Sequence, residues 1–193
     1  FIGLNNILIS SDQQVQRDER VLNAALRRLY NDRQLYPDAN STMRLSYGHV
    51  APYSPRDGVD YEYYTTTDGI FEKINQYHND PDFYVQPYIL DLLKKKEWGV
   101  YAAQDSTMHT CFITNNDITG GNSGSALFNA QGEVIGLAFD GNWEAMDSDV
   151  QYEPAYQRCI NVDIRYVLYL IEKLSGDTHL IDEMIIRTPN TSQ

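Results

Sequence analysis

The chain has 193 residues and a mass of 22.2 kDa, enough for one domain, or for one domain and part of a second. Fifteen Lys and Arg stand against 27 Asp and Glu, and the net charge of −12 excludes a nucleic-acid binder and disfavours acidic membrane surfaces. With 42 % hydrophobic and 22 % charged residues it can bury an ordinary core; its apolar runs, such as Ile164 to Ile171 with Arg165 inside it, are too short to cross a bilayer.

Phe1-Ile2-Gly3-Leu4 carries no initiating Met, no basic stretch and no signal-peptide cleavage pattern, so the chain reads as starting inside a longer polypeptide. Residues 11 to 36 predict a helix. Ser11 with Gln14 makes a capping box, and Val15, Leu22, Ala25, Leu26 and Leu29 form one apolar stripe. Arg17, Arg20, Arg27 and Arg28 among acidic residues read as the solvated face, and Pro37 ends the helix.

From Thr42 to Ile74 the texture is that of strands: Met43, Leu45 and Tyr47 alternate with polar residues, and Asp57-Gly58 marks a turn before a Tyr/Thr-rich run. The 15 Tyr, against 6 Phe and 2 Trp, also favour strands over a helical bundle. A loop at Asn79 to Asp82 precedes a short helix through Ile89, Leu92 and Leu93, ending in Lys94-Lys95-Lys96 where the helix dipole favours cations. Strands follow at Cys111 to Ile113, Ser125 to Phe128, Glu133 to Phe139 and Cys159 to Val162. A helix from Val162 to Leu174 is then capped by Gly176, and Thr188 to Gln193 form a polar, frayed tail. The pattern is a helix leading into a mostly antiparallel β unit, closed by a second helix.

The strongest chemical signal is Thr119-Gly120-Gly121-Asn122-Ser123-Gly124-Ser125. A serine flanked by glycines between two strands suits a nucleophile, since the backbone can turn tightly and aim the amides of Gly121 and Ser123 at an oxyanion. The same string also suits a Gly/Ser/Asn turn without chemistry. A nucleophilic serine needs a base, and none of His49, His78, His109 and His179 has surroundings that mark it as one. Cys111 and Cys159 lie 48 residues apart with no CxxC and no histidine at ligand spacing, so no zinc site and no cofactor are expected. One disulfide or two buried thiols both fit.

The serine loop, the block NAQGEVIGLAFDGNWEAM from Asn129 to Met146 and the block QRCINVDIRYVL from Gln157 to Leu168 resemble the bacterial dipeptidyl-peptidase 7/11 family. NSTMRLSYG from Asn40 to Gly48, Arg56-Asp57-Gly58 and Tyr63 to Thr66 extend the likeness to roughly residues 10 to 187, closer to the dipeptidyl-peptidase 7 type. These are serine exopeptidases of chymotrypsin-like fold. The resemblance implies a mainly β architecture: residues 1–40 end a helical domain, and residues 41–193 form the C-terminal β-barrel of a double barrel with a closing helix. The base His and its Asp would lie outside this chain, leaving it inactive alone.

By motif position the resemblance makes Ser123 the nucleophile and the Gly121 and Ser123 amides its oxyanion hole. Asn122 stands where trypsin-type relatives carry the Asp that receives a newly cut N-terminus, and Ala126 where many carry Pro, which restores a backbone N–H. Asp140 would pair with the substrate's α-ammonium and so count two residues from the end; on its own it also reads as a turn residue. Gly141 stands where acid-specific relatives carry Arg, which implies an apolar P1 pocket walled partly by Ile118, Thr119 and Gly120. A glycine required for the turn is compatible with that. The implied partners are peptides with a free N-terminus and the rest of the same polypeptide, in a Gram-negative periplasm or on the cell surface; a homodimer is compatible. The alternative is a trypsin-like barrel that lost its chemistry and binds proteins through its Tyr-rich surface.

Overall fold

The structure is a computed structural model. It describes the backbone of residues 2–10 and the whole of residues 11–32, 41–78, 80–148, 151–176 and 178–187. They fall into two compact units, Phe1–Asn40 and Ser41–Gln193.

The first unit is α1 (Ile2–Leu29). It begins nine residues before the expected start, because Leu4, Ile7 and Leu8 already carry helical spacing. Ser11 therefore sits inside the helix rather than at its N-cap. On the polar side Gln14 Nε2 donates to Asp18 Oδ1 at 2.9 Å, and Gln16 Nε2 to Asp12 Oδ2 at 3.2 Å, both one turn apart. Val15, Leu22 and Leu29 of the apolar stripe are 54 %, 51 % and 69 % exposed. The expected stop at Pro37 lies outside the described residues.

The second unit is built on one antiparallel sheet of order β3-β4-β7-β6-β5: β3 (Tyr64–Thr66), β4 (His109–Thr114), β5 (Ala126–Phe128), β6 (Val134–Gly141) and β7 (Cys159–Asp163). A separate hairpin pairs β1 (Tyr53–Arg56) with β2 (Val59–Tyr61) around Gly58, whose φ of 75° suits the turn. Helices α2 (Asp68–Gln76), α3 (Pro87–Lys94), α4 (Ile164–Ser175) and α5 (His179–Asp182) complete it.

The mainly β expectation is corrected to a mixed one, and among the described residues the sheet is open, with β3 and β5 at its edges. Two local causes account for this. Ile70, Phe71 and Ile74 follow helical rather than alternating spacing, so α2 forms where strand was expected. Residues 43–49 form no strand, and among the described residues the isolated bridge Val50–Thr114 joins the end of this stretch to β4.

The core gathers Leu93 from α3, Trp98, Tyr101, Met108, and Leu168 and Tyr169 from α4, with Ile70 and Phe71 of α2 against it. Trp98 meets Tyr169 edge to face at 5.3 Å. The Tyr101 hydroxyl donates to Glu172 Oε2 at 2.6 Å, and burial first, then that carboxylate, pushes its pKa up to about 12. Asp163 caps α4 by accepting from Arg165 N at 2.9 Å, and Gly176 closes it with φ 65°.

The register also decides the cysteine question. Cys111 stands opposite Val162, and Cys159 opposite Thr114. Residues directly opposite share a face and neighbours along a strand alternate, so the two thiols point to opposite faces of the sheet. Both are free, and Cys159 is fully buried.

Candidate active site

Residues 115–125 link β4 to β5 and carry the glycine-flanked serine. Both ends are anchored. Asn115 N donates to His49 O at 3.0 Å and Asn115 Oδ1 accepts from His49 N at 2.6 Å. The approach is close enough that a β-carbon on Gly48 would lie 2.6 Å from both Asn115 Oδ1 and Asn116 N. At the other end Gly124 N donates to Ala138 O at 2.7 Å and Ala138 N to Ser125 O at 2.9 Å, fastening the loop to β6.

Between the anchors the chain doubles back. Asn122 N donates to Thr119 O at 3.1 Å and Ser125 N to Asn122 O at 2.9 Å. Gly121 and Gly124 have φ of 95° and 82°, the left-handed region that side chains resist. Ser123 is exposed at the tip. Among the described residues its hydroxyl has no hydrogen bond, and no acceptor takes the N–H of Gly121 or of Ser123, while the Asn122 N–H between them is bonded inward. This leaves two donors flanking one hydroxyl.

None of the four histidines bonds to Ser123. His109 is buried, with Nε2 3.3 Å from Asp105 Oδ2, Arg165 beside Nδ1, and its ring stacked on Tyr64 at 3.8 Å. Asp105 is held below the usual carboxylate range, first by the Thr107 hydroxyl and amide and then by His109. His49, His78 and His179 are exposed.

The loop is also held from outside by a residue the sequence reading passed over. The Arg44 Nη2 donates to both Thr119 Oγ1 and Asn122 Oδ1. Asn122 Oδ1 also accepts from Thr119 N at 3.1 Å. Arg44 belongs to the segment whose alternation of Met43, Leu45 and Tyr47 with polar residues suggested a strand. The polar face turns to the serine loop instead, with Ser46 Oγ accepting from Asn116 Nδ2 at 3.4 Å. Met43, Leu45 and Tyr47 are 84–100 % exposed.

Asp140 and Gly141 end β6, just past a bulge between Ala138 and Asp140. The bulge turns Asp140 to the surface, where its Oδ1 accepts from Gly141 N at 2.8 Å. Gly141 does not have a positive φ, so the turn does not require glycine there. Space is what favours it: a β-carbon would lie 3.1 Å from Ala145 Cβ, 3.9 Å from Arg158 O and 4.0 Å from Ile118 Cγ2. Ile118 and Gly141 thus meet, whereas Gly120 has open space around it.

The wall behind Gly141 is rigid. Buried Asn142 donates from N to Arg158 O at 2.9 Å and accepts from Arg158 N at 2.8 Å. The Arg158 guanidinium donates to the carbonyls of Ala51, Pro52, Pro154, Ala155 and Gln157, and stacks over Tyr53 at 5.3 Å. Burial draws its pKa down. The sequence signal for Arg158 was a charged residue directly before the apolar strand β7, where an arginine is costly unless its donors are satisfied.

Among the described residues no cluster of three His, Cys, Asp or Glu could hold a metal, and no helix is long and apolar enough to cross a membrane.

The family profile of peptidase S46 matches residues 4–186. Dipeptidyl-peptidase 7 of Porphyromonas endodontalis is 52 % identical over 170 residues, covering 88 % of this chain and 20 % of that protein. The Asp/Glu-specific dipeptidyl-peptidase of Porphyromonas gingivalis is 45 % identical over 186 residues, covering 95 % of this chain and 25 % of its own length. The crystal structure of Porphyromonas endodontalis DPP11 in complex with the dipeptide Arg-Glu superposes with a TM-score of 0.74 at 42 % identity, over 83 % of this chain and 23 % of that one. The chain thus spans a fifth to a quarter of the length of these relatives. It belongs to the peptidase S46 family.

Proposed function

We propose that the chain carries the nucleophile and the specificity wall of a serine dipeptidyl-peptidase that releases dipeptides from free peptide N-termini. The observation that carries this is Ser123: an exposed hydroxyl between two amides with no acceptor among the described residues. Ser123 Oγ attacks the carbonyl after the second residue, and the Gly121 and Ser123 amides hold the developing oxyanion. The peptide bond then breaks, the remaining peptide leaves as an amine with the proton held by the base, and water hydrolyses the dipeptidyl acyl-enzyme to release the dipeptide and free Ser123. The base that takes the Ser123 proton, and the Asp that orients it, come from other parts of the polypeptide, in keeping with four histidines here that leave Ser123 alone.

Asp140 meets the substrate's α-ammonium, and that ion pair sets the two-residue register. Gly141, Ile118, Thr119 and Gly120 line the P1 pocket, and because position 141 supplies no cation the pocket takes apolar side chains. In this reading residues 1–40 end a helical domain and residues 41–193 form the C-terminal half of a chymotrypsin-like peptidase unit. The enzyme works in the periplasm or at the cell surface.

The test uses the full-length protein. A fluorophosphonate probe should label Ser123, and Ser123→Ala should abolish both labelling and turnover of dipeptidyl substrates. Turnover that survives the substitution, or a label on a different serine, would reject the assignment and leave the protein-binding module as the better reading.

A further inference from the structure

A serine loop with two left-handed glycines has no intrinsic reason to keep both amides without an internal acceptor, so something must hold it. The geometry points to Arg44 as the positioning residue that keeps the Ser123 loop in its oxyanion-binding form, acting through Asn122. This rests on the reading of Ser123 as the nucleophile. Asn122 is the central residue between the two amides, and the Ser123 N–H belongs to the peptide unit that Asn122 begins. Fixing the Asn122 side chain therefore fixes the direction of that N–H.

Asn122 Oδ1 accepts from the loop's own Thr119 N at 3.1 Å and from Arg44. Arg44 also reaches Thr119 Oγ1, so one cationic nitrogen ties the first residue of the turn to the residue before the serine. Bonds from a charged donor are about twice as strong as neutral ones, and a planar guanidinium loses little freedom in making two of them. Arg44 is itself held. It is half-buried, and its segment is fastened to the far side of the loop through Ser46 and Asn116 and to the sheet at Val50. A neutral Asn122 needs no cut N-terminus as its partner when an internal arginine supplies the cation. The loop is then set as soon as the chain folds.

Because Asp140 and the Gly141 wall bind the substrate ground state, loosening the loop should cost the transition state more than the Michaelis complex. The experiment compares full-length wild type with Arg44→Ala, Arg44→Lys, Asn122→Ala and the Arg44→Ala/Asn122→Ala double variant. Arg44→Ala should lower kcat by about tenfold to a hundredfold with KM changed less than about threefold, since one direct oxyanion donor is worth a hundredfold or more. Arg44→Lys, which keeps the charge on a shorter side chain without the planar head, should fall between and keep the wild-type melting curve. The double variant should fall well short of the product of the two single losses, because the Arg44–Asn122 bond is lost in each single variant and only the bond to Thr119 Oγ1 remains to be lost from Asn122→Ala. Millimolar methylguanidinium should restore kcat to Arg44→Ala and not to Asn122→Ala, an effect that a general loss of stability does not produce.

Unchanged kcat in Arg44→Ala, a change confined to KM, or multiplicative losses in the double variant would overturn the role of Arg44. Fluorophosphonate labelling separates this from the underlying reading. Wild type labelled at Ser123, with Arg44→Ala labelled equally fast, rejects the Arg44 role alone. Wild type labelled at another serine rejects the nucleophile and the Arg44 role with it.

Discussion

Ile118, in the loop after β4, and Gly141, at the end of β6, face each other so closely that a β-carbon on Gly141 would lie 4.0 Å from Ile118 Cγ2. The proposed P1 pocket therefore has an aliphatic wall on one side and bare backbone on the other. An acidic P1 side chain would lose its water there and gain no cation from position 141, which costs several kcal/mol. A P1 scan with fluorogenic dipeptidyl substrates on the full-length enzyme should favour Leu, Phe, Met or Val over Asp and Glu by more than about a hundredfold in kcat/KM. A preference for Asp or Glu would show that Gly141 does not set specificity.

Gly141→Arg tests the same wall from the other side. The backbone there accepts a side chain, but Ala145 Cβ would stand 3.1 Å from the new β-carbon and must yield by a few tenths of an ångström. Turnover of apolar substrates should fall and that of acidic ones rise, with a larger rise when Ala145→Gly is added. If the added glycine makes no difference, the contact with Ala145 is not what limits the exchange.

Asp140 keeps one oxygen on Gly141 N, a bond an asparagine can also accept. Asp140→Asn therefore preserves the local turn and removes only the charge. It should raise KM for free-amine peptides about tenfold or more, given the strength of charge-assisted hydrogen bonds, with melting unchanged. N-acetylated peptides should be poor substrates of the wild type, and equal turnover of acetylated and free peptides would remove Asp140 from this role.

Local patterns made β4 to β7 and α4 legible, because each is a short alternating or amphipathic run bounded by its own turn or cap. The hairpin at Asn129 to Gly132 and the Gly176 cap are examples in which one or two residues carry the signal. What failed was direction. Met43, Leu45 and Tyr47 alternate as a half-buried strand would, yet here they face outward while Arg44 and Ser46 face the serine loop. Alternation states that two faces differ and leaves open which one is covered. The residues that support the site were hidden for a related reason. Arg44 reaches residues 75 and 78 positions away, and two of the five carbonyls that Arg158 holds lie 106 and 107 positions away, so no window along the chain contains both ends of these contacts.

Gly136 is a packing glycine with a measurable cost. On β6 it lies against Phe112 of β4, and a β-carbon would fall 2.7 Å from Phe112 Cε1 and 2.7 Å from Val162 O. The second neighbour is backbone of the central strand β7 and cannot swing aside. Gly136→Ala should destabilise the protein by about 1–3 kcal/mol, the range for overpacking a filled core, read as a lower urea midpoint. An unchanged midpoint would mean that the sheet opens at β6 more easily than its register implies.

The two thiols give the last prediction. Cys111 and Cys159 face opposite sides of the sheet, so no rotamer joins them without breaking the β4–β7 register. Burial pushes the Cys159 thiol up to about 11 from its ordinary 9.0 and raises Cys111 as well. At pH 8 the native full-length protein should leave Cys159 unmodified by iodoacetamide, while the urea-unfolded protein should be alkylated at both positions. The raised value also fixes a direction for alkaline stability. The unfolded thiol ionises first, so the contribution of Cys159 is complete below pH 9 and declines as pH climbs towards 11. Cys159→Ala should flatten that part of the stability profile. A non-reducing peptide map that links Cys111 to Cys159, or fast alkylation of native Cys159, would contradict the register on which the sheet is built.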